Sequence, residues 1–280
     1  MARDLTTHLP ENTIRNRIFD KGGNFIYTSD FATSVAVGGI PGWAVLRALG
    51  ERESMGTTAQ GEDIWRGNEL SPAPTSHTAI PMPDSAGEQM TVVSEHANDT
   101  SGGVGVKTLR LEYLDATGAE QTEDIIMNGT TGVNTVATDI RFINDMYSLT
   151  VGTNGVAVGH IKIYKTGSVG LVYNMIALGG NKSLVPHRMV PVGKTLVIQQ
   201  WHATEAQSKR VAFRLRSTDM NGVLIPGVFC FKDIIYLKQD SLGAEIHVKV
   251  PALSVVKVSG WPVTSGAETS CSWWGYLIND

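Results

Sequence analysis

From about residue 91 to the end, the chain consists of short runs in which apolar and polar residues alternate. This alternation constrains the fold more strongly than any other feature of the sequence. In residues 106–114, Leu109, Leu111 and Tyr113 fall on one face of an extended chain, while the polar residues between them fall on the other. A period of two is expected of a strand that is buried on one side only. The pattern therefore predicts β-structure with one face packed on a core.

Turn-forming dipeptides such as Asn128-Gly129, Asn154-Gly155 and Asn221-Gly222 separate these runs. The predicted strands cover residues 90–94, 106–114, 122–127, 133–137, 140–150, 160–164, 171–177, 195–203, 210–217, 227–232, 245–250, 254–260 and 269–278. Because no helical run of ordinary length separates the strands, they predict an all-β fold, an antiparallel and jelly-roll-like β-sandwich. The strand pattern fits either one large sandwich or two small sandwiches meeting near residues 179–180. Because no Pro/Ser-rich linker separates the two halves there, we favour the single sandwich.

Residues 1–89 differ from the rest, and we interpret them as an N-terminal arm or linker with little regular structure, preceding a β-sandwich body at 90–280. Only residues 43–49 have a helical pattern, which predicts one helix of about two turns. Ser71-Pro-Ala-Pro74 and Ile80-Pro-Met-Pro83 impose an extended backbone. Such a segment is a linker or an arm that lies across another surface.

Four apolar residues of this arm are candidates for contacts with neighbouring subunits: Ile64, Trp65, Ile80 and Met82. An arm that orders on contact loses conformational entropy and therefore needs such side chains to bury. For Trp65 the alternative, packing on the core of its own chain, is equally consistent with the sequence.

The charge balance and hydropathy exclude two classes of partner. The chain has 23 basic and 27 acidic residues and a formal charge of −4, without a basic block, so we expect no direct contact with nucleic acid. No uninterrupted apolar run of about 18 residues occurs, so no membrane partner is expected. The N-terminus lacks the apolar core of a secretion signal, and we expect synthesis in the cytoplasm without export by that route.

No motif in the chain predicts catalysis, a cofactor or a metal. The seven histidines never occur at metal-ligand spacing, and Gly102-Gly-Val-Gly105 precedes a strand, unlike a phosphate-binding loop. The acidic residues of Asn98-Asp99, Asp139 and Asp145 lack the alternating oxygen ligands of a calcium loop. Cys230 and Cys271 are expected to be free buried thiols, with a disulfide as the alternative. We therefore expect no enzyme activity.

Aromatic residues near the C-terminus form a second group of interface candidates: Trp273, Trp274 and Tyr276. In a regular strand, one of two adjacent tryptophans must face outward. An outward tryptophan serves as an anchor in an oligomer interface or as a platform for a sugar ring, and we expect the interface.

Several stretches resemble structural proteins of tailed bacteriophages. They include Ser94-Glu-His-Ala-Asn-Asp-Thr-Ser-Gly-Gly-Val-Gly-Val106 and the runs at 109–120, 125–131, 151–163, 190–194 and 250–261, and the resemblance extends from about Asp63 to the end. It implies a non-enzymatic virion component, made in the host cytoplasm, that acts in capsid decoration or stabilisation or as a head–neck accessory. The implied partners are copies of the chain itself and other virion proteins, such as major capsid, portal-proximal or tail proteins.

Two other functions remain open at this point. One is a receptor- or glycan-binding module, tail-associated or free, that uses an exposed aromatic face. The other is a glycan hydrolase, which requires two carboxylates about 5–10 Å apart in a groove.

Overall fold

The computed structural model describes Ile18–Phe19, Phe25–Ile26 and residues 31–280 apart from Ser76. A short hairpin pairs β1 (Ile18–Phe19) with β2 (Phe25–Ile26), and one helix, α1 (Phe31–Ala36), follows. The other strands are β3 (Trp43–Met55), β4 (Glu62–Asp63), β5 (Met90–Ser94), β6 (Val106–Asp115), β7 (Glu120–Ile126), β8 (Val133–Asn134), β9 (Ile140–Val151), β10 (Ile161–Lys165), β11 (Val172–Ile176), β12 (Arg188–Met189), β13 (Lys194–Glu205), β14 (Val211–Ser217), β15 (Asp219–Met220), β16 (Val223–Leu224), β17 (Cys230–Leu237), β18 (Asp240–Val250), β19 (Val255–Pro262) and β20 (Ala267–Asn279). The predicted class, an all-β antiparallel sandwich, is confirmed.

The chain builds two sandwiches, and one of them is interrupted in sequence by the other. The split sandwich combines β3 and β4 with strands from β12 to β20. Its sheet I has the strand order β18–β13–β20–β3, and its sheet II has the order β12–β19–β14–β17 with β4 paired to β19. The inserted sandwich, β5 to β11, packs the sheet β11–β10–β5–β8 on the sheet β7–β6–β9.

Each sandwich has its own hydrophobic core. The core of the split sandwich is centred on Trp201, Phe213 and Trp273, and that of the inserted sandwich on Leu109, Leu111 and Ile161. Alternate residues of β6 and β14 are buried as the period of two predicts. The structure therefore has two small sandwiches and not the one that the sequence favoured. They are not successive halves divided near residues 179–180, because β3 and β4 pair with β20 and β19.

Direct contacts fix the two sandwiches against each other. The Asn144 side chain forms two hydrogen bonds with the backbone of Met189 in β12, as the backbone of a neighbouring strand would. Its Nδ2 donates to the Met189 carbonyl at 3.0 Å, and its Oδ1 accepts from the Met189 amide at 2.8 Å. Beside this pair, the Arg188 guanidinium lies 3.4 Å from an Asp145 carboxylate oxygen. A small apolar cluster of Leu114, Phe142, Met189 and Val255 closes the junction.

The helix predicted at 43–49 is wrong, because these residues begin β3. This strand pairs with β20 from Trp43↔Ile278 to Met55↔Ala267 and forms one edge of sheet I. Residues 43–63 are consequently part of the split sandwich and not an arm. The rest of the predicted arm, residues 64–89, links the sandwiches, and Trp65, Leu70 and Ile80 within it pack against β11.

Candidate interaction surface

The structure places most of the seven predicted interface residues inside the molecule. Ile64 lies in the core of the split sandwich, and Trp65 and Ile80 lie in the cluster that covers β11. The Trp65 indole also donates to the His77 carbonyl at 3.0 Å. Trp65 therefore packs within its own chain, which was the second of the two possibilities that the sequence left open. Only Met82 keeps substantial exposure, 38 %.

The C-terminal aromatic residues alternate between two faces of β20, as expected for a strand. Trp273 is buried in the core and donates to the Pro186 carbonyl at 3.0 Å. Trp274 and Tyr276 point to the outer face, where their rings meet edge-on at 5.6 Å. There Val35 and Ile40 cover them. Because the chain itself occupies this face, it offers little aromatic surface to a sugar or a subunit.

An exposed aromatic surface exists instead on the outer face of sheet II. We name Arg214, Trp261, Phe231 and Tyr236 the aromatic–arginine face. Phe231 is 54 % exposed and Tyr236 is 67 % exposed. The Arg214 guanidinium carbon lies 4.1 Å from the centroid of the Trp261 ring and 4.6 Å from that of Phe231. The guanidinium is therefore held between two rings, which meet each other edge-on at 6.4 Å.

Strand register explains why these residues meet. On β14, Ala212 is opposite Trp261 of β19 and Tyr236 of β17, and two residues further along Arg214 is opposite Ile234. Since alternate residues of a strand share a face, all of these side chains point away from the core. The pairing of β14 with β17 and β19, which brings these residues together, cannot be read from a single sequence.

Gly61 packs closely against the Trp261 ring. A side chain at this position would place its Cβ 2.3 Å from the ring, and Gly61 has a φ of +71°, which favours glycine. The indole N–H donates to the Ala59 carbonyl at 3.2 Å. The ring that stacks on Arg214 is thus held in one orientation.

A buried charged cluster around Asp63 lies next to this face. The Asp63 carboxylate is 3.0 Å from the Lys257 ammonium and 3.2 Å from the Arg216 guanidinium, and it accepts from the Ser259 hydroxyl at 2.5 Å. Burial alone would raise the pKa of Asp63, but the cations Lys257 and Arg216, with the hydroxyl, outweigh it and hold the pKa well below its usual range. The cluster ties β4, β14 and β19 together.

His187 completes the cluster as a neutral side chain. Its Nε2 lies 3.6 Å from an Asp63 oxygen and has no hydrogen-bond partner among the described residues. Burial lowers the pKa of His187 to about 3; Lys257, Arg216 and Arg188 act in the same direction, and Asp63 opposes them. Because Lys257 and Arg216 already supply positive charge beside Asp63, a protonated His187 is not needed to balance its carboxylate.

An apolar patch lies at one end of the same sandwich. The hairpin patch, Met220, Val223 and Val228, belongs to the β15–β16 hairpin and the loop that follows it, and each side chain is at least half exposed. Beside it runs a groove of about 720 Å³ between the hairpin, the start of β17 and the end of β18; Met220, Phe229, Phe231 and Val248 line its walls.

The sequence features examined for chemistry have structural roles. Asp99 is fully buried: its two oxygens accept the amides of Val106, Val158 and Gly159, and Ser94 donates its hydroxyl to it at 2.6 Å. A carboxylate used in this way clamps two loops and has no free oxygen for calcium. Asp145 pairs with Lys182 at 2.7 Å. Cys230 in β17 and Cys271 in β20 are free thiols, and burial raises the pKa of Cys271.

Two further features are absent from the described part of the chain. Three or more His, Cys, Asp or Glu side chains do not come together there as ligands for a metal ion. None of the helices there has the length and apolar character needed to cross a bilayer.

No protein-family model matches the chain, and no curated protein sequence matches it.

Proposed function

We propose that this chain is a non-enzymatic structural protein of a tailed-phage virion, which acts in capsid decoration or as a head–neck accessory and assembles with copies of itself. The observation that carries the proposal is the hairpin patch: three large apolar side chains project from one short segment beside an apolar groove. Contiguous exposed apolar surface is typical of protein–protein interfaces.

The shape of this surface fits a second copy of the chain. A two-fold interface needs a surface that complements itself, because both subunits use the same residues. The projecting hairpin with Val223 and the adjacent groove with Phe229 and Phe231 supply a protrusion and a recess on one surface. In a symmetric pair, the hairpin of each copy fills the groove of the other.

The neighbouring sheet edge favours a closed assembly over an open-ended one. Strand β17 forms an edge of sheet II, and its pairing with β14 is irregular between Leu215 and Arg216. On this strand Asp233 accepts the indole N–H of Trp201, a core residue, at 2.8 Å. Irregular pairing and a charge directed inward both discourage strand addition. Docking is therefore assigned to side chains of the hairpin patch rather than to a continuous sheet.

The test measures binding of the purified chain to particles that lack it. We expect saturable co-sedimentation of the natural chain, and a reduction of at least about 10-fold in apparent affinity for Val223→Asp, because the interface would bury an unpaired carboxylate. The matched control is Val263→Asp. Val263 is 65 % exposed, against 66 % for Val223, but it lies in the β19–β20 turn away from the patch.

Unchanged thermal unfolding of both variants shows that neither substitution disturbs the fold. Equal binding by Val223→Asp and Val263→Asp would refute the hairpin patch as the docking surface. A natural chain that does not bind the particles would refute the virion role.

A second candidate function is recognition of a glycan receptor. The specific observation in its favour is the exposure of Phe231 and Tyr236 on either side of an arginine that has no carboxylate partner among the described residues.

A further inference from the structure

Arg214, at the centre of the aromatic–arginine face, has N–H groups that make no hydrogen bond within the described part of the chain. Arg214 makes no hydrogen bond or ion pair within the described part of the chain, and its buried Nε lacks a partner. Its neighbour on the same strand face, Arg216, differs: it pairs with Asp63 and donates to the Ser259 hydroxyl. The Arg216 guanidinium is thus paired with a carboxylate inside the chain, whereas the Arg214 guanidinium remains available to a ligand.

The available guanidinium is also held in place. Cation–π contacts with Trp261 and Phe231 restrict its position, and Gly61 packs closely against the Trp261 ring. A fixed guanidinium loses less entropy when it binds, and its planar fork matches a carboxylate with two parallel hydrogen bonds. These features point to a carboxylate as the ligand group.

The surroundings of Arg214 indicate what carries the carboxylate. Phe231 and Tyr236 lie on β17 opposite Arg216 and Ala212, so they stand about 13 Å apart along the strand, with Ile234 between them. They present two separate exposed rings on the outer face of sheet II. The apolar C–H face of a sugar ring stacks on such a ring. A peptide that added as a further strand would need a regular free edge on β17, and the irregular pairing of β17 and the inward-directed Asp233 disfavour that mode.

We propose that the aromatic–arginine face binds carboxylated sugars, such as uronic or sialic acids, with Arg214 pairing with the carboxylate and Phe231 and Tyr236 stacking on neighbouring sugar rings. This site differs from the Trp273, Trp274 and Tyr276 face that the sequence suggested. The hairpin patch uses none of its side chains; only Phe231 is shared with the assembly role, because it also lines the groove beside the patch.

The experiment measures binding of the full-length chain by isothermal titration calorimetry. The probes are trimers of galacturonic acid and of mannuronic acid, and sialyllactose; the methyl-esterified galacturonate trimer and lactose are their uncharged counterparts. We expect at least one acidic probe to bind, with an affinity at least about 10-fold above that of its uncharged counterpart, as expected for a charge-assisted pair. Affinity should fall as salt rises.

Variants separate the contributions of the face. Arg214→Gln should lower affinity about 10-fold or more, and Arg214→Lys should also weaken binding, because lysine keeps the charge but not the fork. Tyr236→Ala should weaken binding through lost stacking. The matched control is Arg47→Gln: Arg47 is an exposed arginine on β3 of sheet I and should not matter.

Three outcomes would overturn the proposal. They are no binding of any acidic probe, equal binding by the natural chain and Arg214→Gln, and equal affinity for a triglutamate peptide, which would assign the face to carboxylates without the sugar. Val223→Asp should keep its sugar affinity even where it loses particle binding, so failure of the assembly role and failure of the sugar site are distinguishable.

Discussion

Single buried carboxylates link strands and loops that are far apart in the sequence. Asp63 joins three strands of sheet II, Asp99 clamps two loops of the inserted sandwich, and Glu205 accepts the amides of Gln207, Lys209 and Gln239. Each carboxylate is nearly inaccessible to solvent. A buried carboxylate without partners would be strongly destabilising, so these groups make particular loop and strand arrangements obligatory.

The His187 side chain makes stability depend on pH. Its pKa is about 3 in the folded chain and its ordinary value is 6.5, so below pH 6.5 the unfolded chain binds a proton that the folded chain does not. Its contribution is complete above pH 6.5 and declines as pH falls towards 3. Between pH 6.5 and 5 the loss amounts to about 2 kcal/mol.

Urea unfolding at both pH values measures this effect. We expect His187→Gln to be less sensitive than the natural chain to the change from pH 6.5 to 5, by about the same 2 kcal/mol. An identical pH dependence in the two proteins would contradict a neutral buried His187.

At the scale of strands, the runs with clear alternation were predicted correctly because those strands are covered on one face only. Strand β6 is an example, with its alternation of apolar and polar residues. Strand β3 was read as a helix for the opposite reason. Leu46 and Ala48 face the core of the split sandwich, while Trp43 and Val45 pack under Val35 and Ile40. Coverage on both faces removes the alternation that identifies a strand.

The same limit applies to the candidate surface. Arg214 and Arg216 are recognisable in the sequence as residues on one strand face. Their difference arises from Asp63, which is 153 residues from Arg216 in sequence and reaches it only through the pairing of β4 with β19. Contacts of this range require the tertiary fold.

Gly50 tests the placement of β3. A Cβ at this position would lie 2.7 Å from the Pro186 ring and 2.8 Å from the Ile64 carbonyl oxygen, and neither group moves easily. We expect Gly50→Ala to lower the free energy of unfolding by about 1–3 kcal/mol, the usual cost of overpacking. Gly102→Ala is the control, because a Cβ there meets no atom within 4 Å. Equal unfolding midpoints for the two variants would contradict the position of β3.

The whole molecule is organised by the insertion of one sandwich into another. Residues 64–184 contain the inserted sandwich and the segment with Trp65 that covers β11. Residues 185–280 contain most of the split sandwich but lack β3 and β4, which pair with β20 and β19. The two parts of the chain should therefore differ in their ability to fold alone.

Expression of these two fragments tests this organisation. We expect 64–184 to unfold cooperatively by circular dichroism, and 185–280 to remain unfolded or aggregate, because the missing β3 leaves apolar core and an 11-residue pairing edge of β20 uncovered. Addition of a peptide of residues 43–63 should restore folding to 185–280. Cooperative unfolding of 185–280 without the peptide would contradict the split arrangement.

The central claim, that the chain works by assembling with copies of itself, is tested most directly by its native mass. Sedimentation velocity of the purified natural chain over about 1–100 µM should give one closed oligomer at an integer multiple of the monomer mass, in equilibrium with monomer at the lower concentrations. A monomer throughout that range, or open-ended growth without a defined mass, would contradict the proposal.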